Sequence, residues 1–459
     1  MINLINVRFF SDWSAKKLIV LFLIVGLLIR FVLMPFLTYD FDIYHWAVII
    51  QNIDSGNNLY DLAGYYYTPV WGYIMGFISM FKDLFLNIGT MGMTFVDMLP
   101  IESLNYPYHV ATITSIGFNI MMKFFLVIID VIVGYMVYRF VMDRTGNERK
   151  AAAGFGLWFL CPIVLYMSSV QGMFDTISAM LLLLTVFMLY RDRCFFAGAF
   201  FATAVLLKFF PAFCLIVLVG YLYAKHRDDG QFMKKFLLAM AGALVMLVVL
   251  MLPQMIEGQL YDALSFIIGR ASTTDLWKSL FTAGGIIIAL AGMLGFGYLM
   301  FRTKKEDADD ALMRYVLLSA VCAVLMSITP QYIIVFIPFF ITYLLSVNGS
   351  RRLFWIISVA AFAGAIVLNN FSLFCSLSEY TSLVSAEWVI SSMQALEGTL
   401  FGFTYVDIIN CIANLIQYIG TILIVVLYFA DAVNIRWPKV GRVLYAIRGG
   451  ERHEIGQSD

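Results

Sequence analysis

The sequence predicts an all-α polytopic membrane protein with about twelve transmembrane helices. Composition, the spacing of apolar runs and the placement of basic residues support this class. The chain has 459 residues, of which 62% are hydrophobic and 13% are charged. A soluble domain is about half apolar and about a quarter charged. The formal net charge is zero, so the composition gives no reason to expect a nucleic-acid partner.

Apolar runs of about 18 to 22 residues are long enough to cross the hydrocarbon layer as helices. Two of the runs, 194–209 and 211–224, are shorter and predict a hairpin of tilted helices around Pro211. In chain order, the predicted spans are 17–37, 117–139, 151–170, 174–190, 194–209, 211–224, 233–253, 281–301, 311–328, 331–347, 352–370 and 406–431.

Lys and Arg between the runs predict cytoplasmic N- and C-termini, because cytoplasmic loops are rich in basic residues. The apolar run 69–81 is too short to span, so it is assigned to a first external loop, 38–115, that carries interfacial helices. The chain is then one transmembrane domain, 1–459, with a cytoplasmic tail at 432–459. The ending GGERHEIGQSD has no eukaryotic retention signal, which favours a bacterial plasma membrane.

Cysteine and histidine give no sign of a metal site or a disulfide framework. The six cysteines lie mostly inside apolar runs without paired spacing, and the four histidines are scattered. Metal-binding cysteines usually occur in closely spaced pairs. No metal ligands are therefore predicted.

Two carboxylates, Asp40 and Asp42, stand in TYDFDIYHWA, where the first apolar run ends. On an extended segment, residues two apart share a side. A carboxylate at the lipid–water boundary can act as a general base toward a hydroxyl group. The alternative is that the two acids mark the membrane edge and cap the next helix.

Residues 39–74 resemble the first luminal loop of the GT-C glycosyltransferases. They look most like the dolichyl-phosphate-mannose-dependent mannosyltransferases of GPI-anchor assembly. The resemblance is carried by the Asp-x-Asp pair, Gly56, Leu59-Tyr60 and YYYTP at 65–69. The stretches 122–141, 157–184 and 204–218 extend it, and also resemble the dolichyl-phosphate-glucose-dependent glucosyltransferases. Their late acidic-basic motif is replaced by Gln331-Tyr332, which leaves the donor open.

The resemblance implies a GT-C-like fold and the transfer of a hexose, with mannose favoured. The donor would be a polyprenyl-phosphate sugar, and the acceptor a glycolipid or envelope polymer on the non-cytoplasmic face. Asp40 is then the expected general base, with Asp42 supporting it or binding the acceptor. No cofactor is implied with certainty. A divalent metal, Mg or Mn, stays open because Asp-x-Asp pairs bind one in some glycosyltransferases, but a monophosphate donor lessens the need for it.

Four cations are candidates for binding the donor phosphate. Lys208 lies at the outer turn of the short hairpin, and Arg270 lies in the next outer loop, where Arg can offer two parallel donors. Lys123 and Arg30 lie within predicted spans, where charges usually face a cavity or a partner. The alternatives are structural ion pairs and, for Arg30, extension of its side chain to the interface. Asp130 is expected to pair with a buried base or a polar network.

Seven further side chains are candidates for binding substrate. The aromatic ones could stack on sugar rings, but they could also anchor the loop at the membrane interface. Gln171 and Asp175 begin the fourth span, where the alternative is a helix cap. The seven are His45, Trp46, Tyr65, Tyr67, Trp71, Gln171 and Asp175.

Two other functions remain open on the sequence alone. A twelve-helix secondary transporter is one, because MDRTGNERK at 142–150 faintly resembles the short cytoplasmic loop of facilitator-type transporters. The Gly that precedes Asp-Arg in that loop is missing, and two similar halves are not visible. A lipid-linked-sugar flippase would share the substrate without the chemistry.

Overall fold

The computed structural model describes residues 13–61, 65, 67–86, 94–95, 112–269, 276–326, 329–346, 351–368, 372–396 and 398–432. These residues are helical apart from turns and two short hairpins. Strand β1 (Thr94–Phe95) pairs with β2 (Thr112–Ile113), and β3 (Thr399–Leu400) pairs with β4 (Phe403–Thr404). The predicted all-α class is confirmed. Beyond residue 432, the predicted tail lies outside the described residues.

The first helix, α1 (Ala15–Leu33), precedes the predicted first external loop. It is capped by Ser14, whose hydroxyl accepts from the Lys17 backbone N–H.

The predicted first external loop contains three short helices within the described residues: α2 (Asp40–Asp54), α3 (Pro69–Ser79) and α4 (Lys82–Leu86). Pro69 suits the first turn of α3 because its missing N–H would have no helical partner there.

Within the described residues, each predicted span contains helix, although several are interrupted. The remaining α-helices are α5 (Ile116–Thr145), α6 (Glu148–Phe159), α7 (Pro162–Tyr166), α8 (Asp175–Tyr190), α9 (Cys194–Leu207), α10 (Leu215–His226), α11 (Phe232–Ile256), α12 (Leu260–Gly269), α13 (Leu276–Phe301), α14 (Ala308–Val324), α15 (Ile337–Ser346), α16 (Arg351–Leu368), α17 (Cys375–Tyr380), α18 (Ala386–Leu396) and α19 (Tyr405–Ala432).

Four helices in the described part of the chain are long and apolar enough to cross a membrane: Ile116–Thr145, Phe232–Ile256, Ala283–Phe301 and Tyr405–Tyr428. A fifth span results if α6 and the helical segment Pro162–Gln171 are taken together across their 47° bend. Five further apolar helices in the described residues have 10–17 residues and are shorter than a bilayer core of about 30 Å requires. The structure thus shows four or five candidate spans, and the count of about twelve stays a prediction.

Prolines explain why several predicted runs are interrupted. Pro162, Pro211 and Pro330 each begin a new helical turn, because a proline cannot continue the hydrogen-bond ladder of the preceding helix. These interruptions place irregular backbone at the ends of α6 and α9 and before α15. Lys208 lies at the second of these breaks and Gln331 at the third.

α9 and α11 approach each other very closely. A Cβ on Gly198 would lie 1.8 Å from the Ala239 carbonyl oxygen, so this contact requires glycine. The outer face of α11 exposes apolar side chains such as Leu237, Leu244 and Val249. Such a surface is expected where a helix faces lipid.

Candidate functional site

A helical irregularity places a glutamine beside the second loop carboxylate. α7 continues into a single π turn, Met167–Gln171, which ends at Gly172 with a φ of +71°. A Cβ on Gly172 would lie 2.4 Å from Ile43 Cδ1, so glycine allows α2 to pack closely here. π turns often occur at functional sites. This one brings Gln171 to the start of α2.

Asp42 is held by a contact that joins distant parts of the chain. Gln171 Nε2 donates a hydrogen bond to Asp42 Oδ2 at 2.9 Å and lies 3.5 Å from Gln331 Oε1. Gln331 belongs to the 3₁₀ turn Pro330–Val335. The amide group of Gln171 is therefore oriented with its nitrogen toward both oxygens, which fixes the carboxylate of Asp42.

The partner carboxylate, Asp40, is described only by its backbone. Asp40 is the first residue of α2, so the extended geometry in which both acids would share a side is not observed. Its side chain lies outside the described part of the structure. Arg270 also lies outside the described residues, and its role as a phosphate ligand stays a prediction.

Lys208 lies at the break between α9 and the 3₁₀ turn Phe210–Cys214. Its backbone is extended, with φ of −145° and ψ of 135°, because the helix ends before Pro211. Lys208 Nζ is 3.3 Å from Asp175 Oδ1, and the side chains are 4% and 0% exposed. Asp175 lies in the first turn of α8, where the helix dipole favours a carboxylate.

Aromatic rings surround the ammonium group of Lys208. Its Nζ lies 4.6 Å from the ring centre of Phe174, 5.3 Å from that of Tyr332 and 5.5 Å from that of Tyr67. Such ring faces attract a cation. Because the three rings come from the first loop, the start of α8 and the Pro330–Val335 turn, the lysine fixes three separate segments in place.

The two loop tryptophans extend this aromatic cluster. Trp71 stacks on Phe174 with a centroid distance of 4.4 Å, and Trp46 lies 5.5 Å from Trp71 and 5.7 Å from Tyr67. Both tryptophans are fully buried. Protein therefore covers both rings, and their anchoring at the membrane interface, the alternative suggested by the sequence, stays a prediction. Within the described residues, neither indole N–H has a hydrogen-bond acceptor.

Two other predicted substrate residues lie close to the cluster. The ring of His45 is 5.5 Å from that of Trp46. The Tyr65 hydroxyl donates to the Thr68 carbonyl and accepts from the Gly72 backbone N–H, both at 2.8 Å. Burial raises the pKa of the Tyr65 phenol, so it remains a proton donor. These bonds give Tyr65 a clear role in forming the start of α3.

Arg30 and Lys123 are enclosed by protein groups. Arg30 Nη2 lies 2.8 Å from Asp130 Oδ2, and Nη1 donates to the Phe159 carbonyl at 2.7 Å. The expectation that Asp130 pairs with a buried base is confirmed. Lys123 Nζ donates to the carbonyl oxygens that follow α1, those of Met34 at 3.0 Å and Leu37 at 2.8 Å. Both cations join helices through these contacts, and their role as phosphate ligands stays a prediction.

The sequence did not predict three side chains that contact Lys208 or Gln171: Phe174, Tyr332 and Gln331. Phe174 was readable as an aromatic residue next to Asp175, within the segment that resembles a known family. Gln331 and Tyr332 had two signals: they directly follow Pro330, and they replace the late acidic-basic motif of the glucosyltransferases that the chain resembles. The proline indicates a break in the helix, but neither signal indicates what the break contacts.

No cluster of three or more His, Cys, Asp or Glu side chains in the described part of the chain is arranged to hold a metal ion.

Comparison with known proteins gives one partial similarity. No protein-family model matches the chain. Over 108 residues the chain is 23% identical to GPI mannosyltransferase 1 of Saccharomyces cerevisiae. The aligned part is 24% of this chain and 26% of the yeast protein, so it spans about a quarter of the length of that relative.

Proposed function

We propose that this protein is an integral-membrane glycosyltransferase. It moves a hexose, with mannose favoured, from a polyprenyl-phosphate sugar to an acceptor at the non-cytoplasmic face. One observation carries the proposal. A carboxylate with a fixed position, Asp42, and a buried cation, Lys208, are linked through side chains from the same two segments, residues 171–174 and 331–332. Gln171 contacts Asp42, and Phe174 and Tyr332 face Lys208. The partial similarity to a GPI mannosyltransferase supports the same reaction class.

The proposed reaction is a single displacement at the anomeric carbon. A loop carboxylate, with Asp40 as first choice, accepts the proton of the acceptor hydroxyl as that oxygen bonds to the sugar. The bond between the sugar and the phosphate oxygen breaks, and polyprenyl phosphate leaves with the electron pair. Asp42, fixed by Gln171, supports the base or binds the acceptor.

The charge balance around Lys208 favours a donor with one phosphate. Lys208 is nearly neutralised by Asp175 at 3.3 Å. An incoming phosphate shares this cation with Asp175, and the negative charge that develops on the leaving group strengthens its attraction to the ammonium. A diphosphate donor would bring more negative charge to the same cation. Because Arg270 lies in the next outer loop, it remains our second proposed phosphate ligand.

The aromatic cluster offers hydrogen-bond donors to a sugar. The rings of Trp46 and Trp71 are buried and pack with Phe174, so they are not open for stacking on a sugar ring. Their buried N–H groups lack acceptors within the described residues. A buried donor without a partner costs about 1–3 kcal/mol, which a sugar hydroxyl or a water molecule would recover.

The test is incubation of the purified protein, in lipid, with polyprenyl-phosphate mannose and polyprenyl-phosphate glucose carrying a labelled sugar. A glycosyltransferase releases polyprenyl phosphate and transfers label to an acceptor, and the faster donor identifies the sugar. A flippase in sealed vesicles moves the labelled donor across the membrane with its sugar–phosphate bond intact. A secondary transporter does neither. Intact donor after incubation with glycolipid and envelope-polymer acceptors would reject the proposed reaction.

A further inference from the structure

A small apolar hairpin precedes the last candidate membrane span. Strands β3 and β4 pair with Thr399 opposite Thr404 and Leu400 opposite Phe403. Phe401 and Gly402 form the two-residue turn between them. The side chain of Phe401 is 91% exposed, that of Phe403 is 63% exposed and that of Leu400 is 47% exposed. Leu400 and Phe403 are a cross-strand pair, so they form one apolar face beside the tip.

The tip contains a residue that the turn itself disfavours. Phe401 has a φ of +55° and Gly402 a φ of +83°. Two-residue turns with positive φ at both positions favour Asn or Asp followed by Gly. A bulky residue rarely adopts such a conformation, and its presence points to a functional reason. The turn thus carries a costly aromatic residue whose side chain contacts almost nothing in the protein.

The hairpin is rigidly attached to α19, whose residues Tyr405–Tyr428 are a candidate span. The Tyr405 backbone N–H donates to the Gly398 carbonyl at 2.9 Å and closes the base of the hairpin. Thr404 Oγ1 donates to Asp407 Oδ2 at 2.6 Å and accepts from the Asp407 backbone N–H at 3.1 Å. This reciprocal capping joins β4 directly to the first turn of α19.

The apolar surface of the hairpin continues along the span. α19 exposes Ile409, Ile412 and Leu415 below the hairpin, and a span with such a face is covered by lipid. The segment 398–406, GTLFGFTYV, contains no charged residue. An apolar surface without Lys or Arg has no group that would select anionic head groups.

We propose that the hairpin Thr399–Thr404 inserts Leu400, Phe401 and Phe403 into the lipid bilayer beside the outer end of α19. The partner is the lipid surface itself, and the contact is apolar. This contact holds the segment that contains α18 against the membrane. Insertion of the hairpin into lipid does not depend on whether the protein is a glycosyltransferase.

The test places a fluorophore at the tip and measures what quenches it. Five of the six native cysteines are buried and Cys411 is exposed, so a Cys411→Ser background gives a clean single-site label. Phe401→Cys and Phe403→Cys are each labelled with an environment-sensitive dye, and the full-length protein is placed in phosphatidylcholine nanodiscs. Phe403→Cys keeps the test valid if the turn does not tolerate substitution at 401. Lys304→Cys, at a strongly exposed lysine next to Glu306 and Asp307, is the control.

The proposal predicts that lipids with brominated acyl chains quench both hairpin labels several-fold more than the control label. Iodide in the water should quench the control more strongly. Replacing part of the phosphatidylcholine with phosphatidylglycerol, or adding salt, should leave the hairpin result unchanged. Iodide quenching equal to that of the control would overturn the proposal. So would shielding from both quenchers, which would place the tip against protein, and so would insertion that requires anionic lipid.

Discussion

Replacing Lys208 with methionine tests whether this cation serves catalysis or only the fold. Methionine keeps much of the length of the side chain but removes its charge. The change breaks the ion pair with Asp175, whose side chain is fully buried. Leaving one member of a buried pair without its partner costs about 3–5 kcal/mol. The lost attraction to the rings of Tyr67, Phe174 and Tyr332 adds about 0.5–2 kcal/mol per strong contact.

The single variant should therefore lose stability and activity together, which would not separate the two roles. The double variant Lys208→Met/Asp175→Asn removes both charges. Replacing a buried pair with neutral groups is often close to neutral in stability, so most of the lost thermal stability should return. Sugar transfer should remain about 10²–10³-fold below wild type, since the cation that stabilises the leaving phosphate is absent.

The assay pairs thermal unfolding in nanodiscs with the initial rate of polyprenyl phosphate release at saturating donor. Asp175→Asn alone serves as the control, because it keeps the proposed phosphate ligand. Recovery of stability without recovery of rate supports a role of Lys208 in the reaction. A double variant that transfers sugar at the wild-type rate would refute the reasoning, because the cation would then be needed only for folding.

Three further predictions follow from the fold and the site. Arg30→Met should destabilise the protein by about 3–5 kcal/mol, because it leaves Asp130 unpaired. In thermal unfolding, Arg30→Met/Asp130→Leu should recover much of this loss of stability. Equal stability of Arg30→Met and wild type would contradict the pairing. Gly198→Ala should lower the unfolding temperature, because the new Cβ meets a backbone carbonyl oxygen. The control, Gly295→Ala, has open space around the new Cβ and should raise the unfolding temperature or leave it unchanged. Sugar transfer should persist in excess EDTA, because a monophosphate donor has less charge to neutralise than a diphosphate. Loss of transfer that added Mg or Mn restores would show a metal requirement.

Apolar run length predicted the positions of the helices but not how far each one extends. The run 151–170 was read as one crossing, yet it bends by 47° between α6 and the segment Pro162–Gln171. Pro162 signalled this break in the sequence. The hydrophobic pattern of α2 also does not state whether protein or lipid covers its apolar residues. Trp46, Ile49 and Ile50 are buried within the protein.

The site could be predicted in part because its polar side chains lie in segments that resemble a known family. Asp42, Gln171, Asp175 and Lys208 were all named from the sequence, and the structure brings Gln171 to Asp42 and Lys208 to Asp175. The pairing itself was not readable, because it depends on the three-dimensional packing of separate helices.

The partners in two further contacts could not be identified from the sequence. Arg30 was assigned to a phosphate, but a partner 100 residues away neutralises it. Gln331 lies 160 residues from Gln171 in a 3₁₀ turn, and such short turns have too little periodicity to predict a neighbour.

The most direct measurement of the central claim is single-turnover sugar transfer by purified wild type, Asp40→Asn and Asp42→Asn in nanodiscs. Asn keeps the shape of each side chain but cannot accept a proton from the acceptor hydroxyl. We expect Asp40→Asn to be folded, with wild-type thermal stability, and to bind the lipid-linked donor but transfer no sugar. Asp42→Asn should retain some transfer. Wild-type transfer by Asp40→Asn would show that Asp40 is not the general base.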